Sequence, residues 1–345
     1  MARTYPAHAR PLWQRVLLTR ESAVIALLVL VTLYAVAAVP SFSSPLTLPY
    51  LLLDTAPVLL IALPMTLVII TGEIDLSVAS VVGLSSVTVG VLVDGGASVP
   101  VAGLVALLVG AVCGALNGGL VAYGGLPSLA VTIGTLALYR GIAVGLLGTR
   151  AVTDFPDRWT DLATARVGDT QLPLVVVPIV LLGLLFVVLL HGTSFGRGVY
   201  DIGLSPDAAH FSGVAVARTK LVLFVLSGTV SAFAGIFFTL RYGSARGDNA
   251  TGLELQVVAA VLLGGVSIFG GRGALHGVLA GVLLIGVLSS ALRLESVTVN
   301  VINIIIGTLL VLSVISGSVL GWFGRRVRRR PPVAAPDPAR EPSSI

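Results

Sequence analysis

A few polar residues lie inside stretches of this sequence that are otherwise apolar and long enough to cross a membrane. They are Glu73, Asp75, Asn117, Thr132, Thr135, Glu254, Asn300 and Asn303. A charged side chain at the centre of a bilayer costs about 3 kcal/mol or more, so such residues usually face a cavity or a partner. Amide and hydroxyl groups suit a neutral polyhydroxylated molecule, so we predict that these residues line a pathway for such a solute. Glu73 and Asp75 have an equally good alternative role, which is to cap the helix that follows them.

Arg140 is a basic residue well inside a predicted span, whereas Lys220 stands at the very start of one. A long arginine side chain can extend along apolar surface and place its charge in water. We therefore expect Arg140 to reach the outer surface and to pair with an external aspartate, in preference to a direct contact with a solute.

Residues for other kinds of chemistry are missing. The chain has one cysteine, Cys113, and four histidines without an H-E-x-x-H pattern, so neither a metal centre nor a disulfide framework is expected. Its sole lysine, Lys220, is followed by Leu221, so a nucleotide-binding Gly-Lys-Ser/Thr loop cannot form. Residues 192–196 match the hydrolase pattern G-x-S-x-G but follow an apolar helix instead of a strand. We predict that the chain is not an enzyme, holds no cofactor of its own and binds no nucleic acid.

The elements that must position the polar residues are membrane helices. Hydrophobic residues make up 56% of the 345 residues and charged residues 11%, with a mean hydropathy of +1.02. A water-soluble domain carries roughly a quarter charged residues. We predict an all-α, polytopic membrane protein with about ten spans of about 20 residues each. The predicted spans are residues 23–39, 48–70, 76–93, 99–123, 126–147, 172–191, 220–240, 253–269, 274–292 and 297–319.

Basic residues cluster at both ends of the sequence. Arg3, Arg10, Arg15 and Arg20 precede the first span, and five arginines lie from position 325 to position 330. By the positive-inside rule, both termini are expected in the cytoplasm. The chain then divides into a basic tail (1–22), a transmembrane domain (23–319) and a basic, proline-rich, disordered tail (320–345). Within the domain, residues 149–171 form an external segment and residues 192–219 a cytoplasmic loop.

The two halves of the sequence share short motifs. Residues 74–79 resemble residues 253–258, and the Ile-Gly-Thr-Leu at 133–136 recurs at 306–309. A shift of five spans reverses orientation in the membrane, so this similarity predicts an inverted repeat, an architecture common in transporters. Glycines at four-residue spacing, at 110, 114 and 118 and at 273, 277 and 281, predict close helix packing.

The cytoplasmic loop contains the signal of a short helix. Its residues are Ser205 as N-cap, Pro206 in the first position, Asp207 in the first turn, then Ala208, Ala209, His210 and Phe211, with Gly213 as the stop. A helix of two turns is not stable alone, so it must dock. It could dock on this chain's own spans or in the groove of a partner, with Phe211 as the anchor.

Four ordered motifs stand out along the sequence. The first is Gly72-Glu73-Ile74-Asp75-Leu76-Ser77-Val78, and the second is Leu126-Pro127-Ser128 with Val131-Thr132-Ile133-Gly134-Thr135-Leu136 and Tyr139-Arg140-Gly141. The third is Gly196-Arg197 with Tyr200-Asp201-Ile202-Gly203, Ala208-Ala209 and Ser212-Gly213, and the fourth is Glu254-Leu255 with Gly264-Gly265-Val266-Ser267-Ile268-Phe269-Gly270-Gly271-Arg272-Gly273. These motifs resemble those of the membrane permeases of bacterial sugar ABC importers of the ribose-permease type, whose signature at the first motif is Gly-Gly-Ile-Asp-Leu-Ser; Glu73 replaces its second glycine here. The fourth motif is more similar to the rhamnose or autoinducer-type branch than to the ribose branch.

The resemblance implies a permease subunit in a bacterial cytoplasmic membrane that translocates a monosaccharide such as ribose or rhamnose, or a related compound. It implies a homodimer or a paired heterodimer of permeases surrounded by membrane lipid. It also implies an external solute-binding protein and a cytoplasmic ABC ATPase, which would bind ATP and magnesium and receive the helix from Ser205 to Gly213. The alternative is a secondary transporter in which Glu73, Asp75 or Glu254 carries a coupling proton.

Overall fold

The structure is a computed structural model that describes residues 19–309 and 311–312. In this part of the chain the regular elements are helices, and no strand is formed. The helices are α1 (Arg20–Ala38), α2 (Thr47–Ile70), α3 (Val78–Asp94), α4 (Val99–Ala122), α5 (Ser128–Leu147), α6 (Asp157–Thr164), α7 (Val176–Val187), α8 (Ser194–Leu204), α9 (Pro206–Phe211), α10 (Val216–Tyr242), α11 (Leu253–Leu263), α12 (Leu275–Leu294) and α13 (Val299–Leu309). A π-helical turn at Val188–Gly192 continues α7.

The core of the molecule is built around α2. Every residue of this helix from Thr55 to Ile70 is buried, because the helix is apolar on all sides and carries no charge in that stretch. It packs against α7, α10, α11 and α12. Its two internal prolines, Pro57 and Pro64, remove backbone donors within the buried stretch.

Six described helices are long and apolar enough to cross a membrane: α1, α2, α4, α5, α10 and α12. The pair formed by α7 with its π turn and α8 is bent by 69° and would make a seventh span. The helices α3, α11 and α13 are apolar but shorter. Each of the ten predicted spans overlaps one of these helices, while the count of ten and the sides of the membrane stay predictions. The predicted tails lie outside the described residues, apart from residues 19–22, as does the end of the predicted tenth span.

The predicted span at 253–269 is wrong in its second half. The helix ends at Leu263, and residues 264–274 are not helical. Gly265, Gly270 and Gly271 adopt positive φ angles of 97°, 80° and 71°, which a helix cannot accommodate. The apolar residues between these glycines extend the hydropathy signal beyond the end of the helix.

The helices of the two halves of the chain make corresponding packing contacts. In the first half α2 packs on α12 and α11, and in the second half α10 packs on α4 and α3. Likewise α3 packs on α4, and α11 packs on α12. A five-span repeat would pair α2 with α10, α3 with α11 and α4 with α12, and the observed contacts follow that scheme. This correspondence supports the predicted repeat.

The glycines at four-residue spacing are packing positions, as predicted. A Cβ atom on Gly114 would collide with the backbone oxygen of Phe224 in α10, and one on Gly110 with Gly228. Gly277 and Gly281 of α12 meet the backbone of α11 and the turn after it in the same way. Without side chains at these points the helix backbones come into direct contact. Gly273 does not belong to this ridge, because α12 begins only at Leu275.

Candidate functional site

The turn before α3 brings several of the predicted polar residues together. Gly72 has a φ angle of 83°, and the chain then runs without helical hydrogen bonds to Ser77. The first residues of α5 satisfy the backbone of this turn: Ile74 N–H donates to Ser128 Oγ at 3.1 Å, and Thr132 Oγ1 donates to Ile74 O at 3.2 Å. Thr132 therefore holds the turn in place. Thr135, one turn further along α5, is buried and donates to the carbonyl of Thr132 at 3.5 Å.

Asp75 lies at the centre of this turn and is 1% exposed. Its carboxylate accepts from Ser77 N–H at 3.0 Å, Ser77 Oγ at 2.6 Å and Ser227 Oγ at 2.8 Å. A buried carboxylate is costly unless donors surround it, and these three contacts supply them. The bond from Ser77 N–H closes an Asx turn before α3, whose N-cap residue is Ser77 and not Asp75. The bond to Ser227 ties this turn to α10.

A chain of hydrogen bonds continues from this turn into α4 and α5. Asn117 Nδ2 donates to Ser77 Oγ at 2.8 Å, and Tyr139 OH donates to Asn117 Oδ1 at 3.3 Å and to Cys113 O at 3.0 Å. Asn117 is 0% exposed. We call Asp75, Ser77, Asn117, Tyr139 and Ser227 the buried polar network. It joins four helices and, in this conformation, lines neither of the two cavities described below.

Sequence reasoning missed the partners of this network. Ser77, Tyr139 and Ser227 are not among the predicted site residues. The spacing of Ser77 two positions after Asp75 is a signal for an Asx turn and could have identified it. Ser227 is 152 positions from Asp75, so no local pattern points to that contact.

Glu73 does not join the buried polar network. Its carboxylate pairs with the ammonium group of Lys220 near the start of α10, and both side chains are 15% exposed. This pair links the turn after α2 to α10, the helix that follows the predicted cytoplasmic loop. Glu73 does not cap α3, which has no side-chain cap hydrogen bond, and its place along a pathway stays a prediction.

The remaining predicted pathway residues lie on α11 and α13. Glu254 is partly buried in the first turn of α11 and makes no hydrogen bond or ion pair within the described part of the chain. Asn300 is exposed near the start of α13. Asn303, one turn later, lines a cavity together with Gln256 of α11. Sequence reasoning missed Gln256.

The expectation for Arg140 is wrong. Its guanidinium does not pair with an aspartate but donates to the carbonyls of Gly247 at 2.8 Å, Asn249 at 2.7 Å and Ala79 at 3.2 Å. The loop after α10 folds back against α3, where Asn249 Nδ2 donates to Ser86 Oγ at 2.9 Å. The fold of this loop places two of its backbone carbonyl groups within hydrogen-bond distance of the guanidinium. Gly83 makes room for it, since a Cβ atom there would lie 2.5 Å from a guanidinium nitrogen.

The short helix of the predicted cytoplasmic loop forms as expected from the sequence. Ser205 Oγ accepts from Ala208 N–H at 3.3 Å as the N-cap, and Gly213 ends the helix with a φ angle of 87°. Ala209 is buried at 2% exposure and packs α9 on the chain's own helices, mainly α8. Phe211 is 89% exposed. The helix therefore docks on its own chain through Ala209 and leaves Phe211 projecting into solvent, with its ring centroid 5.9 Å from that of the neighbouring His210.

The helix α8, on which α9 packs, is in contact with the core. Gly203 in α8 lies against the backbone of Ile70 and Gly271, and Gly271 N–H donates to Ile70 O at 2.8 Å. Tyr200 OH donates to Gly273 O at 2.8 Å. The end of α2, the glycine-rich turn after α11 and the helices α8 and α9 thus form one contact region.

Comparisons with known proteins agree with this architecture. The sequence profile of a family described as "Branched-chain amino acid transport system / permease component" matches residues 47–314. The chain is 38% identical over 280 residues to the autoinducer 2 import system permease protein LsrD of Escherichia coli O157:H7, covering 77% of this chain and 84% of the relative. The protein of the same name from Shigella flexneri is 37% identical over the same length and coverage. No solved structure shows a significant match to the chain.

These matches confirm the predicted resemblance and its autoinducer-type branch. The family consists of membrane components of transport systems, not of catalytic enzymes. The chain belongs to this family of ABC-importer permeases, as a multi-pass protein of the bacterial cytoplasmic membrane.

Proposed function

We propose that the chain is the membrane subunit of an ATP-driven importer for a small sugar-like solute, autoinducer 2 or a close chemical relative. The names of the two relatives reported above and the neutral polar groups of the helices support this choice of solute. A partner ATPase binds ATP and magnesium, an external binding protein delivers the solute, and a second permease chain completes the pathway.

This proposal rests on one observation: the side chain of Phe211 is exposed to solvent on α9, a helix that is capped and packed on its own chain. Leaving a phenylalanine side chain in water forgoes about 1.5–3 kcal/mol of burial free energy. The cap at Ser205 and the buried Ala209 fix the helix, so the exposed ring has a defined position. A short helix with one projecting apolar anchor suits the groove of a partner protein. The ATPase is the partner that an importer of this family requires.

Contacts between α9 and the core support a route for coupling. Force on α9 reaches α8 directly, and α8 touches the end of α2 through Gly203 and Ile70. The chain leaves α9 into α10, which packs on α2, α3 and α4. Closure of the ATPase would thus shift α8 and α10 together against α2. Such sliding of packed helices is one of the ways in which a transporter alternates access to its solute.

The test is Phe211→Asp in the complete importer reconstituted in liposomes. An aspartate at this exposed position stays hydrated, so the variant should insert and assemble normally. It should lose ATP-driven uptake of autoinducer 2, because the apolar anchor for the ATPase is gone. Tyr123→Asp is a matched control, because Tyr123 is an aromatic residue of 66% exposure outside α9 and outside both cavities. Uptake by Phe211→Asp at the unmodified rate would contradict the coupling role. Uptake driven by a pH gradient in liposomes without the ATPase would contradict the whole proposal.

A further inference from the structure

Two adjoining cavities lie at the far end of α10 from α9. This helix begins shortly after α9 and runs for 27 residues, which is about 40 Å, to Tyr242. A cavity of about 210 Å³ lies among residues of α2, α10, α11, α12 and α13. A second cavity of about 390 Å³ lies under the loop after α10. Phe238, Leu253 and Gln256 line both.

The charges that line the two cavities cancel. Arg246 forms two bonds with Asp248, from Nε at 2.9 Å and from Nη2 at 2.8 Å. Arg293 Nη1 donates to Asp54 Oδ2 at 3.1 Å. The other lining residues carry no formal charge. A cavity with paired charges offers hydrogen bonds without favouring an anion or a cation, which is the character needed for a neutral polar ligand.

Asp54 is held in a fixed position in the smaller cavity. Arg293 binds one carboxylate oxygen, and Arg241 Nη2 lies 3.8 Å from the other. The guanidinium of Arg241 rests over the rings of Tyr50 and Tyr242, at 5.7 and 5.5 Å from their centroids. These contacts orient the carboxylate before any ligand binds, which lowers the entropy cost of binding.

Neutral polar side chains complete the smaller cavity. Gln256, Ser289 and Asn303 line it, and within the described part of the chain these three side chains make no hydrogen bond to protein. Their amide and hydroxyl groups are therefore available to a ligand. Phe238 and Tyr242, whose ring centroids are 4.6 Å apart, supply an aromatic wall. The volume of the smaller cavity lies below the roughly 300–1,000 Å³ that is typical of sites for drug-sized ligands. The cavity therefore suits a smaller molecule.

We propose that the smaller cavity binds a neutral polyhydroxylated solute of about monosaccharide size as it enters the membrane subunit. Arg293 donates to one hydroxyl and Asp54 accepts from its neighbour, while Gln256, Ser289 and Asn303 bind the remaining hydroxyls. The inference rests on the proposed function, because it assigns the entry site for the solute class of that importer.

The test is cysteine protection in the complete importer, reconstituted in liposomes and kept without ATP. Cys113 is buried at 6% exposure and is replaced in a Cys113→Ala background, into which Asn303→Cys is introduced. The rate of labelling by a membrane-impermeant maleimide is measured with D-ribose, L-rhamnose, ribose 5-phosphate or L-leucine. Thr298→Cys is the matched control, because Thr298 is exposed at the same end of the molecule but lines neither cavity.

We expect the two neutral sugars to slow the labelling of Asn303→Cys about tenfold once their concentration exceeds the Kd about tenfold, and to leave Thr298→Cys unaffected. Asp54→Asn should shift this protection to about tenfold higher sugar concentration, since a hydrogen bond to a charged group is lost. Ser289→Ala, which removes only a hydroxyl group, should weaken protection in the same direction. Asp94→Asn, which opens the exposed pair of Asp94 with Arg150 outside both cavities, should leave protection unchanged.

Equal protection by ribose 5-phosphate or L-leucine would overturn the assignment of a neutral polyhydroxylated ligand. Absence of protection by every probe, in liposomes that still take up autoinducer 2 with ATP, would overturn the cavity assignment and leave the proposed function standing. Protection by sugars in liposomes without ATP-driven uptake would support the cavity and contradict the proposed function.

Discussion

The contacts of Asn117 in the structure differ from those that its residue type predicts. Its residue type predicts a place along a pathway, where a substitution would weaken transport without affecting assembly. Its side chain instead donates to Ser77 and accepts from Tyr139 in a site with no exposure. It is a structural link between α4, α5 and the turn before α3.

Asn117→Leu is therefore expected to destabilise the protein. It removes the two buried hydrogen bonds of Asn117 with Ser77 and Tyr139, each of which contributes about 0.5–1.5 kcal/mol. The thermal unfolding temperature of the purified protein in detergent should fall clearly. Asn300→Leu, at an exposed position, should leave that temperature nearly unchanged. An unchanged unfolding temperature for Asn117→Leu would show that the network contributes little.

Glu73 and Lys220 allow a second test at the level of single residues. Lys220→Met leaves the mostly buried carboxylate of Glu73 without its partner and should cost about 3 kcal/mol of stability. The exchange of both residues, Glu73→Lys with Lys220→Glu, should recover most of this loss because the pair re-forms in the opposite sense. Thermal unfolding of the single and exchanged variants measures the recovery. No recovery would mean that the pair is not an energetic unit.

Local contacts of single residues could be predicted, and distant ones could not. Asp75 and Ser77 are two positions apart, and Ser205 and Ala208 three, so the Asx turn of the first pair and the capping bond of the second follow from the sequence pattern. Arg140 meets carbonyls 107 and 109 positions away, on a loop whose path no local pattern fixes. The pairing of Glu73 with Lys220 depends on the same kind of distant contact, although Lys220 is the only lysine.

At the scale of elements, the contact between α4 and α10 depends on glycine. Gly114→Ala is expected to cost about 1–3 kcal/mol, since the added methyl group meets the backbone of Phe224 and neither helix can yield cheaply. Gly119 lies on the same helix, and a methyl group added there would have nothing within 4 Å, so Gly119→Ala is the matched control. Thermal unfolding compares the two. Equal stability of both variants would contradict a tight backbone contact at Gly114.

The helices themselves could be predicted well, and their ends less well. Apolar length located α2, α4, α5 and α12 to within a few residues. It failed for α11, because hydropathy does not register that Gly265, Gly270 and Gly271 take up left-handed conformations. The span predicted at 172–191 ends close to the break between α7 and α8. The helix α8 beyond the break was not predicted, because Gly196, Arg197 and Asp201 give that stretch no continuous apolar signal.

At the scale of the whole molecule, the sides of the membrane remain a prediction from the distribution of arginines. Asp169 and Ser212 are both exposed and lie in the predicted external and cytoplasmic segments. In a Cys113→Ala background, Asp169→Cys should react with an impermeant maleimide in intact cells, and Ser212→Cys only after the membrane is opened. The reverse pattern would invert the assignment of the two faces. It would also place α9 where no cytoplasmic ATPase can reach it.

The only amine on a side chain of this protein is engaged with a carboxylate and mostly withdrawn from solvent. Amine-reactive cross-linkers are commonly used to capture membrane complexes. Because this amine is engaged, they should react only weakly with the described part of this subunit. A partner held at α9 is better trapped by a photoreactive amino acid at His210, beside the projecting ring. A weak amine cross-linking signal should accordingly not be read as the absence of a complex.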